Sequence, residues 1–154
     1  MAKGRFSRVG LLGLLGVCAC ATPAQSEYDA EVDRLCGMDG GVTVYEIVRL
    51  PLDRFDQHGN VRIRSKQQSS PQDEYYYERD HHHLRGSETE NGIVLSRMEH
   101  RLVRRHDAKV LGKQVWYARG GGDLPGPWHP SSYICPPISA KQPSVERSVF
   151  LRGN

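Results

Sequence analysis

Cysteine is the residue type with the most specific chemistry in this sequence, and its four copies fall into two pairs. Cys18 and Cys20 directly follow an apolar run near the N-terminus. Cys20 is preceded by the small residue Ala19 and, two positions further back, by the aliphatic Val17. That spacing is typical of the site where bacterial lipoproteins receive lipid on a cysteine thiol. We therefore predict lipidation of Cys20, with Cys18 as the alternative.

The segment before Cys20 has the organisation of an export signal. Basic residues at positions 3, 5 and 8 precede an apolar run over residues 9–17. The run is shorter than the ~20 residues that a helix needs to span a bilayer, so we expect residues 1–19 to be removed. Ala21, not aspartate, follows Cys20, which resembles lipoproteins sorted to the outer membrane and facing the periplasm. Cleavage after an Ala-x-Ala site, giving a secreted chain without lipid, and an uncleaved anchor remain as alternatives.

The second cysteine pair, Cys36 and Cys135, predicts one disulfide in an oxidising envelope compartment. The bond would close a loop of about 100 residues, which stabilises by up to about 4.7 kcal/mol in the chain-entropy model. A reactive or metal-binding thiol pair is the alternative. Neither cysteine, however, belongs to a CxxC motif or has a histidine at ligand spacing.

A run of three histidines offers metal-binding chemistry. In a strand, His81 and His83 project from one face and His82 from the other. A third ligand from a neighbouring strand, such as His100, would complete a zinc or copper site. The sequence does not fix that third ligand, so we favour a solvated polar strand and predict no metal and no cofactor.

A Gly- and Pro-rich segment, residues 122–132, is the candidate binding loop. Its prolines stiffen the chain and so reduce the entropy lost on docking. Trp128 is a type of side chain that anchors many interfaces. Asp123 and His129 have the chemistry of an acid–base pair, although a turn-capping role for Asp123 is the favoured interpretation. The loop is either a docking surface or a segment that folds back so that Trp128 covers a thin core.

The sequence lacks the short motifs of the common enzyme classes. It contains no GxSxG, HExxH, GxGxxG or P-loop pattern. Glycines 120–122 precede Asp123 and two prolines, so no helix N-terminus follows them to bind phosphate. We therefore predict that the protein is not an enzyme.

The net charge argues against a nucleic-acid partner. The formal charge of +3 equals the number of basic residues within 1–19, which contain no acidic residue. The remainder of the chain is therefore near neutral, whereas nucleic-acid binding needs a basic face. A local cluster of arginines occurs in a predicted strand and hairpin, where charges usually face solvent: Arg97, Arg101, Arg104 and Arg105.

The predicted fold class is α+β, with a short N-terminal helix packed on a small antiparallel sheet. Ser26 is a candidate helix cap, an apolar stripe with helical spacing carries Cys36 inward, and Gly37 ends the helix. Residues 42–50, 75–84, 93–104 and 110–119 have strand composition, and a turn over 106–109 predicts a hairpin. We divide the chain into a signal peptide (1–19), a lipidated tether (20–26), a single domain (27–138) and a polar, mobile tail (139–154).

Two blocks of this sequence resemble a group of small bacterial envelope lipoproteins of unknown function. The blocks are residues 34–46 (RLCGMDGGVTVYE) and 119–136 (RGGGDLPGPWHPSSYICP). The resemblance covers residues 30–137 in order. It implies localisation and architecture, and it transfers no catalytic residue.

Together these features predict a membrane-anchored bacterial envelope lipoprotein with a non-catalytic binding or structural role in the periplasm. Its expected partners are the membrane, through the lipid, and an envelope protein. One alternative is an inhibitor of an envelope-attacking enzyme such as lysozyme, an analogy from size, anchor and single disulfide. The other is a periplasmic metal-binding protein.

Overall fold

The computed structural model describes residues 21–87, 92–123, 131–138 and 143–153. Its fold is α+β with one disulfide, as the sequence predicts. A short 3₁₀ helix, Leu52–Arg54, follows the second strand. The other elements in chain order are α1 Pro23–Asp39, β1 Gly41–Val44, β2 Val48–Leu50, β3 Arg64–Ser65, β4 Tyr75–Gly86, β5 Ile93–Arg104, β6 Lys109–Gly121, β7 Ser132–Cys135, α2 Val145–Val149 and β8 Phe150–Arg152.

The main sheet is built around three long antiparallel strands, β4, β5 and β6. Its order is β1–β6–β5–β4–β3, and β7 pairs with the end of β6 beyond β1. The predicted β5–β6 hairpin is confirmed, and its turn contains Ala108 with a positive φ of 54°. Parallel pairing occurs between the short β3 and β4, and between β2 and β8, which form a separate two-stranded sheet.

Helix α1 begins earlier and ends later than predicted. Thr22 is the N-cap: its hydroxyl accepts from the Gln25 N–H, while the Gln25 side chain accepts from the Thr22 N–H. This capping box satisfies two backbone donors, and Pro23 suits the first helical position because its missing N–H is not needed there. Ser26 is therefore not the cap, and the prediction of a tether is wrong for residues 23–26. Gly40, not Gly37, ends the helix.

One hydrophobic core lies between α1 and the sheet. Tyr28 and Val32 on α1 pack against buried residues of β5 and β6, namely Leu95, Val115 and Tyr117. The predicted disulfide is confirmed at the edge of this core, where Cys36 of α1 bonds Cys135 of β7 with a Cα–Cα distance of 5.9 Å. The bond therefore ties the helix to the strand at the edge of the sheet.

A second core lies on the opposite face of the sheet and includes the C-terminal residues. Leu102 is seven positions after Leu95 on β5, so it faces the other side. There it packs with Val145, Val149 and Phe150, which are all nearly inaccessible to solvent. The prediction of a mobile tail is wrong for residues 143–153, because these side chains complete a core that the sheet alone would leave exposed.

Gly112 on β6 permits the close approach of α2. A Cβ atom at this position would lie 2.9 Å from a methyl carbon of Val145 and 2.9 Å from one of Val149. Carbon atoms in contact are normally about 3.5–4.0 Å apart, so any larger residue would push α2 away from the sheet. The absence of a side chain at Gly112 is thus a requirement of the second core.

We predict that the C-terminal strand contributes substantially to stability. Phe150 is buried at 3% exposure, and its ring contacts Tyr75 edge-on at 4.9 Å between centroids. Phe150→Ala should lower the free energy of unfolding in urea by about 3–5 kcal/mol. The neighbouring Leu151 is 38% exposed and serves as the matched control, since Leu151→Ala should cost much less. Equal effects of the two variants would contradict the structure.

We also predict that the disulfide is a major source of stability. It joins residues 99 positions apart, so its loss releases a long loop in the unfolded chain. Cys36→Ala should lower the free energy of unfolding by about 2–5 kcal/mol. Cys135→Ala should have a similar effect, and the double variant should be no worse than either single one because all three lack the same bond. Additive losses in urea denaturation would show that the two cysteines act separately.

Candidate functional site

Asp123 is the one residue of the predicted binding-loop triad that the structure describes, since Trp128 and His129 lie outside the described residues. One Asp123 oxygen, Oδ2, accepts the backbone N–H of Ser131 at 2.7 Å. The other, Oδ1, accepts from Nε2 of Gln25 at 3.0 Å. Asp123 therefore joins Ser131 to helix α1 through Gln25.

Arg119, near the end of β6, is buried beside this carboxylate. Its guanidinium binds both oxygens of Asp29 on α1, with Nε–Oδ1 at 2.8 Å and Nη2–Oδ2 at 3.2 Å. Its third nitrogen donates to the Ser131 hydroxyl at 2.7 Å and to the Gly121 carbonyl at 3.1 Å. Such a two-pronged, charge-assisted contact is strong and directional. Removing one partner of a buried pair typically costs about 3–5 kcal/mol, so Arg119 is a structural anchor.

Gln25 completes the cluster from the first turn of α1. The side chain is 5% exposed, and its Nε2 lies 3.1 Å from the Ser131 hydroxyl as well as near Asp123. We call this cluster the loop clamp, and it comprises Gln25, Asp29, Arg119, Asp123 and Ser131. Through it, two polar residues of α1, one helical turn apart, hold the end of β6 and the residue before β7.

The glycines that precede Asp123 fit this geometry. Gly121 and Gly122 have φ values of +75° and +79°, a region that residues with a side chain rarely adopt. A Cβ atom on Gly122 would lie 2.8 Å from Ile93 Cδ1 and 3.2 Å from Gln25 Cγ. These glycines let the end of β6 turn directly against α1, where Asp123 can reach Gln25.

The electrostatics of the clamp favour a structural role for Asp123. Hydrogen bonding from the backbone N–H of Ser131 is the main reason that the pKa of Asp123 lies below its ordinary value, and Gln25 and Arg119 add to the effect. A carboxylate held ionised with both oxygens occupied is a poor proton acceptor. The turn-capping interpretation of Asp123 therefore agrees with the geometry better than the acid–base one.

Sequence reasoning missed Gln25 and Arg119, although a signal was present. Gln25 and Asp29 lie on the same side of α1 as Tyr28 and Val32, so two polar residues interrupt the face that packs inward. Buried polar groups need partners, and a strand arginine is a suitable one. The partners themselves are about a hundred residues away in the chain, with separations of 98 for Asp123 and 90 for Arg119.

The histidine run does not form the three-ligand site considered above. The rings of His81 and His83 lie 4.9 Å apart between centroids. His100 instead packs edge-on against Trp116, also at 4.9 Å, and burial lowers its pKa so that it stays neutral. The described part of the chain contains no group of three His, Cys, Asp or Glu side chains arranged to hold a metal.

Arginines of the β5–β6 hairpin take part in ion pairs with neighbouring carboxylates. Arg97 donates to Asp39 of α1 at 2.9 Å and to Glu99 at 2.6 Å. Arg104 donates to Asp107 at 2.7 Å within the hairpin turn. These two arginines are therefore engaged in contacts that link elements of the fold.

Comparison with known proteins identifies no relative. No family model, no curated protein and no solved structure shows significant similarity to this chain. Within the described ranges, no helix is long and apolar enough to cross a membrane.

We predict that Asp123 makes stability depend on pH. Because its folded pKa is depressed, Asp123 contributes stability that is fully present above its unfolded pKa of about 3.9 and is lost as pH falls through the folded value. The difference in unfolding free energy between wild type and Asp123→Asn should therefore be largest above about pH 5 and should shrink below about pH 3.

Urea denaturation across that pH range tests the prediction. Asp53→Asn is the charge control, since Asp53 lies exposed on the 3₁₀ helix and outside the loop clamp. A difference for Asp123→Asn that is constant from neutral to acidic pH would contradict the role assigned to this carboxylate.

Proposed function

We propose that this protein is a non-catalytic binding protein, held on an envelope membrane by a lipid attached to Cys20. The observation that best supports this proposal is that one pair of cysteines forms a disulfide while the other pair lies in the N-terminal segment. Cys36 and Cys135 are joined to each other, which leaves Cys18 and Cys20 in the N-terminal segment. Disulfides persist in oxidising compartments, so this bond supports the export that the basic and apolar residues before Cys20 indicate.

The start of α1 determines how close the domain would lie to the lipid. Thr22 caps the helix, and its hydroxyl donates to the Gly122 carbonyl at 3.2 Å. Only Ala21 separates Thr22 from Cys20. Two residues of extended chain span at most about 7 Å, so a lipid on Cys20 would hold the loop clamp at the membrane surface. This connection is much shorter than the predicted tether.

The opposite end of the sheet would then be free to meet partners in the periplasm. Strand β6 has 13 residues and ends at the loop clamp. At about 3.3 Å per residue, its other end lies about 40 Å from the clamp. The exposed hairpin turn between β5 and β6, residues 106–109, lies at that far end and provides surface for a binding role beyond the membrane-facing end.

The contacts that charged and polar side chains make within the fold support a non-catalytic role. Arg119 fastens α1 to β6, and Arg97 links Asp39 of α1 to β5. Tyr77 of β4 donates its hydroxyl to Glu146 of α2 at 2.6 Å. Groups committed to such contacts hold the elements of the fold together, whereas a catalytic group must reach its substrate.

Lipidation of Cys20 gives the direct test. In cells supplied with a labelled fatty acid, the wild-type protein should carry the label, and Cys20→Ser should abolish it and release the protein from the membrane fraction. Cys18→Ser is the matched control and should stay labelled. Label that survives Cys20→Ser but is lost in Cys18→Ser would place the lipid on Cys18. A wild-type protein without label would overturn the anchor.

A further inference from the structure

The two-stranded sheet of β2 and β8 exposes apolar side chains around one arginine. From the residue before β2 onward, exposed and covered positions alternate: Ile47 and Arg49 are exposed, whereas Leu50 is buried in the second core. Arg49 pairs with Leu151 in the parallel register, so both side chains lie on the side that faces away from the core. Ile47 is 56% exposed, and Tyr45, two residues earlier, is equally exposed. Large apolar side chains grouped in this way mark interaction sites.

We call these four residues, Tyr45, Ile47, Arg49 and Leu151, the ribbon surface. It lies at the end of the domain that is remote from the loop clamp. The backbone N–H groups of Tyr45 and Glu46 donate to the Leu111 carbonyl at 2.8 and 3.0 Å. Leu111 is near the start of β6, whereas the loop clamp is at the other end of that strand. The ribbon surface therefore belongs to the end that would be free to meet partners.

Arg49 has no carboxylate partner among the described residues. It is exposed and forms no hydrogen bond or ion pair with any of them. Other exposed arginines of this domain do pair, as Arg54 does with Glu74 at 2.8 Å and Arg64 with Asp73 at 3.3 Å. A guanidinium carries five N–H donors in a fixed geometry. The donors of Arg49 are therefore available to a partner.

Two further arginines beside the ribbon surface also lack a described carboxylate partner. Arg152 follows Leu151 in β8, and its guanidinium lies 5.7 Å from the centroid of the Phe55 ring. Arg147 donates through Nε to the amide oxygen of Asn60 at 2.8 Å. These contacts orient the two guanidinium groups and leave their charge unneutralised. The arginines at this end of the domain thus attract anions together.

The acidic residues that are closest in the chain do not neutralise these cations. Glu46 binds Arg104 and Lys109 of the hairpin, the latter at 2.6 Å. Asp56 accepts backbone N–H groups of its own turn. Asp53 is exposed on the 3₁₀ helix and forms no ion pair with a described residue. The ribbon surface and its rim therefore keep an excess of positive charge.

We propose that the ribbon surface binds an acidic, extended segment of a partner protein. Its arginines need carboxylates, which a guanidinium binds with two parallel hydrogen bonds, and its apolar side chains need an apolar counterpart. A peptide with both acidic and apolar side chains supplies the two together, whereas a purely anionic polymer would leave Tyr45, Ile47 and Leu151 in water. Arginine and tyrosine are also enriched at protein interfaces. The inference rests on the proposed function in taking the protein to be a binding protein, and it names the chemistry of the partner.

A synthetic peptide of repeated Glu-Ser-Leu-Ser units tests this inference. When extended, it presents its Glu and Leu side chains on one side, because every second side chain of a strand shares a face. Fluorescence anisotropy of the labelled peptide should show saturable binding to the wild-type protein purified in neutral detergent. The same peptide with Gln in place of Glu should bind at least about tenfold more weakly, since it loses the charge-assisted hydrogen bonds.

Arg49→Glu should also weaken binding at least about tenfold, because the variant repels the acidic side chains that Arg49 attracts. Arg79→Glu is the matched control and should bind normally, since Arg79 is likewise exposed and unpaired among the described residues but lies on β4. Leu151→Ser should weaken binding, whereas Leu84→Ser should not, because Leu84 is an exposed leucine of β4.

Equal binding of the Gln peptide, or unchanged affinity in Arg49→Glu, would overturn the inference. Polyphosphate that binds as well to Leu151→Ser as to wild type and displaces the peptide would show a general polyanion site instead. Self-association in sedimentation velocity that Arg49→Glu abolishes would assign the ribbon surface to a second copy of this chain. None of these results depends on whether Cys20 is lipidated, so the anchor and the partner class stand or fall separately.

Discussion

Arg119 is almost fully buried, and a buried cation is stable only where a carboxylate and further acceptors surround it. Asp29 supplies the carboxylate from α1, while Ser131 and Gly121 supply the other acceptors. Arg119 can form these hydrogen bonds together only when the helix, the end of β6 and the residue before β7 meet. That requirement sets the position of α1, and with it the proximity of Thr22 to Gly122 at the membrane-facing end that we propose.

The helix is also held at a second point along its length. The loop clamp fixes its first turns through Gln25 and Asp29, and the disulfide at Cys36 fixes its last turns. Two fixed points prevent the helix from sliding or turning on the sheet. The apolar contacts between them, made by Tyr28 and Val32, are few, as expected of a small domain that buries little apolar surface. One polar and one covalent attachment thus compensate for a thin core.

The parts of this fold that sequence predicts well are those with a local signal. Strand composition is enough to predict the β5–β6 hairpin, and the pair Cys36 and Cys135 is enough to predict the disulfide. The C-terminal elements lack such a signal, because α2 is five residues long and polar residues separate Val145 from Val149. Their burial depends on Gly112, a residue of a distant strand. For the loop clamp, the polar residues on the inward face of α1 are a local signal, but the partner of Gln25 is not predictable, because only the folded chain brings Asp123 to it.

The short length of α2 also explains why the face opposite α1 contains a cavity. The helix covers the sheet at Gly112, where the missing side chain lets Val145 and Val149 approach the strand. Trp116 lies four residues further along β6, about 13 Å away, on the same face of the sheet. A helix of five residues reaches about 7.5 Å, so it cannot cover both positions. The close packing at Gly112 therefore places α2 over one part of this face, and a cavity remains between α2 and Trp116.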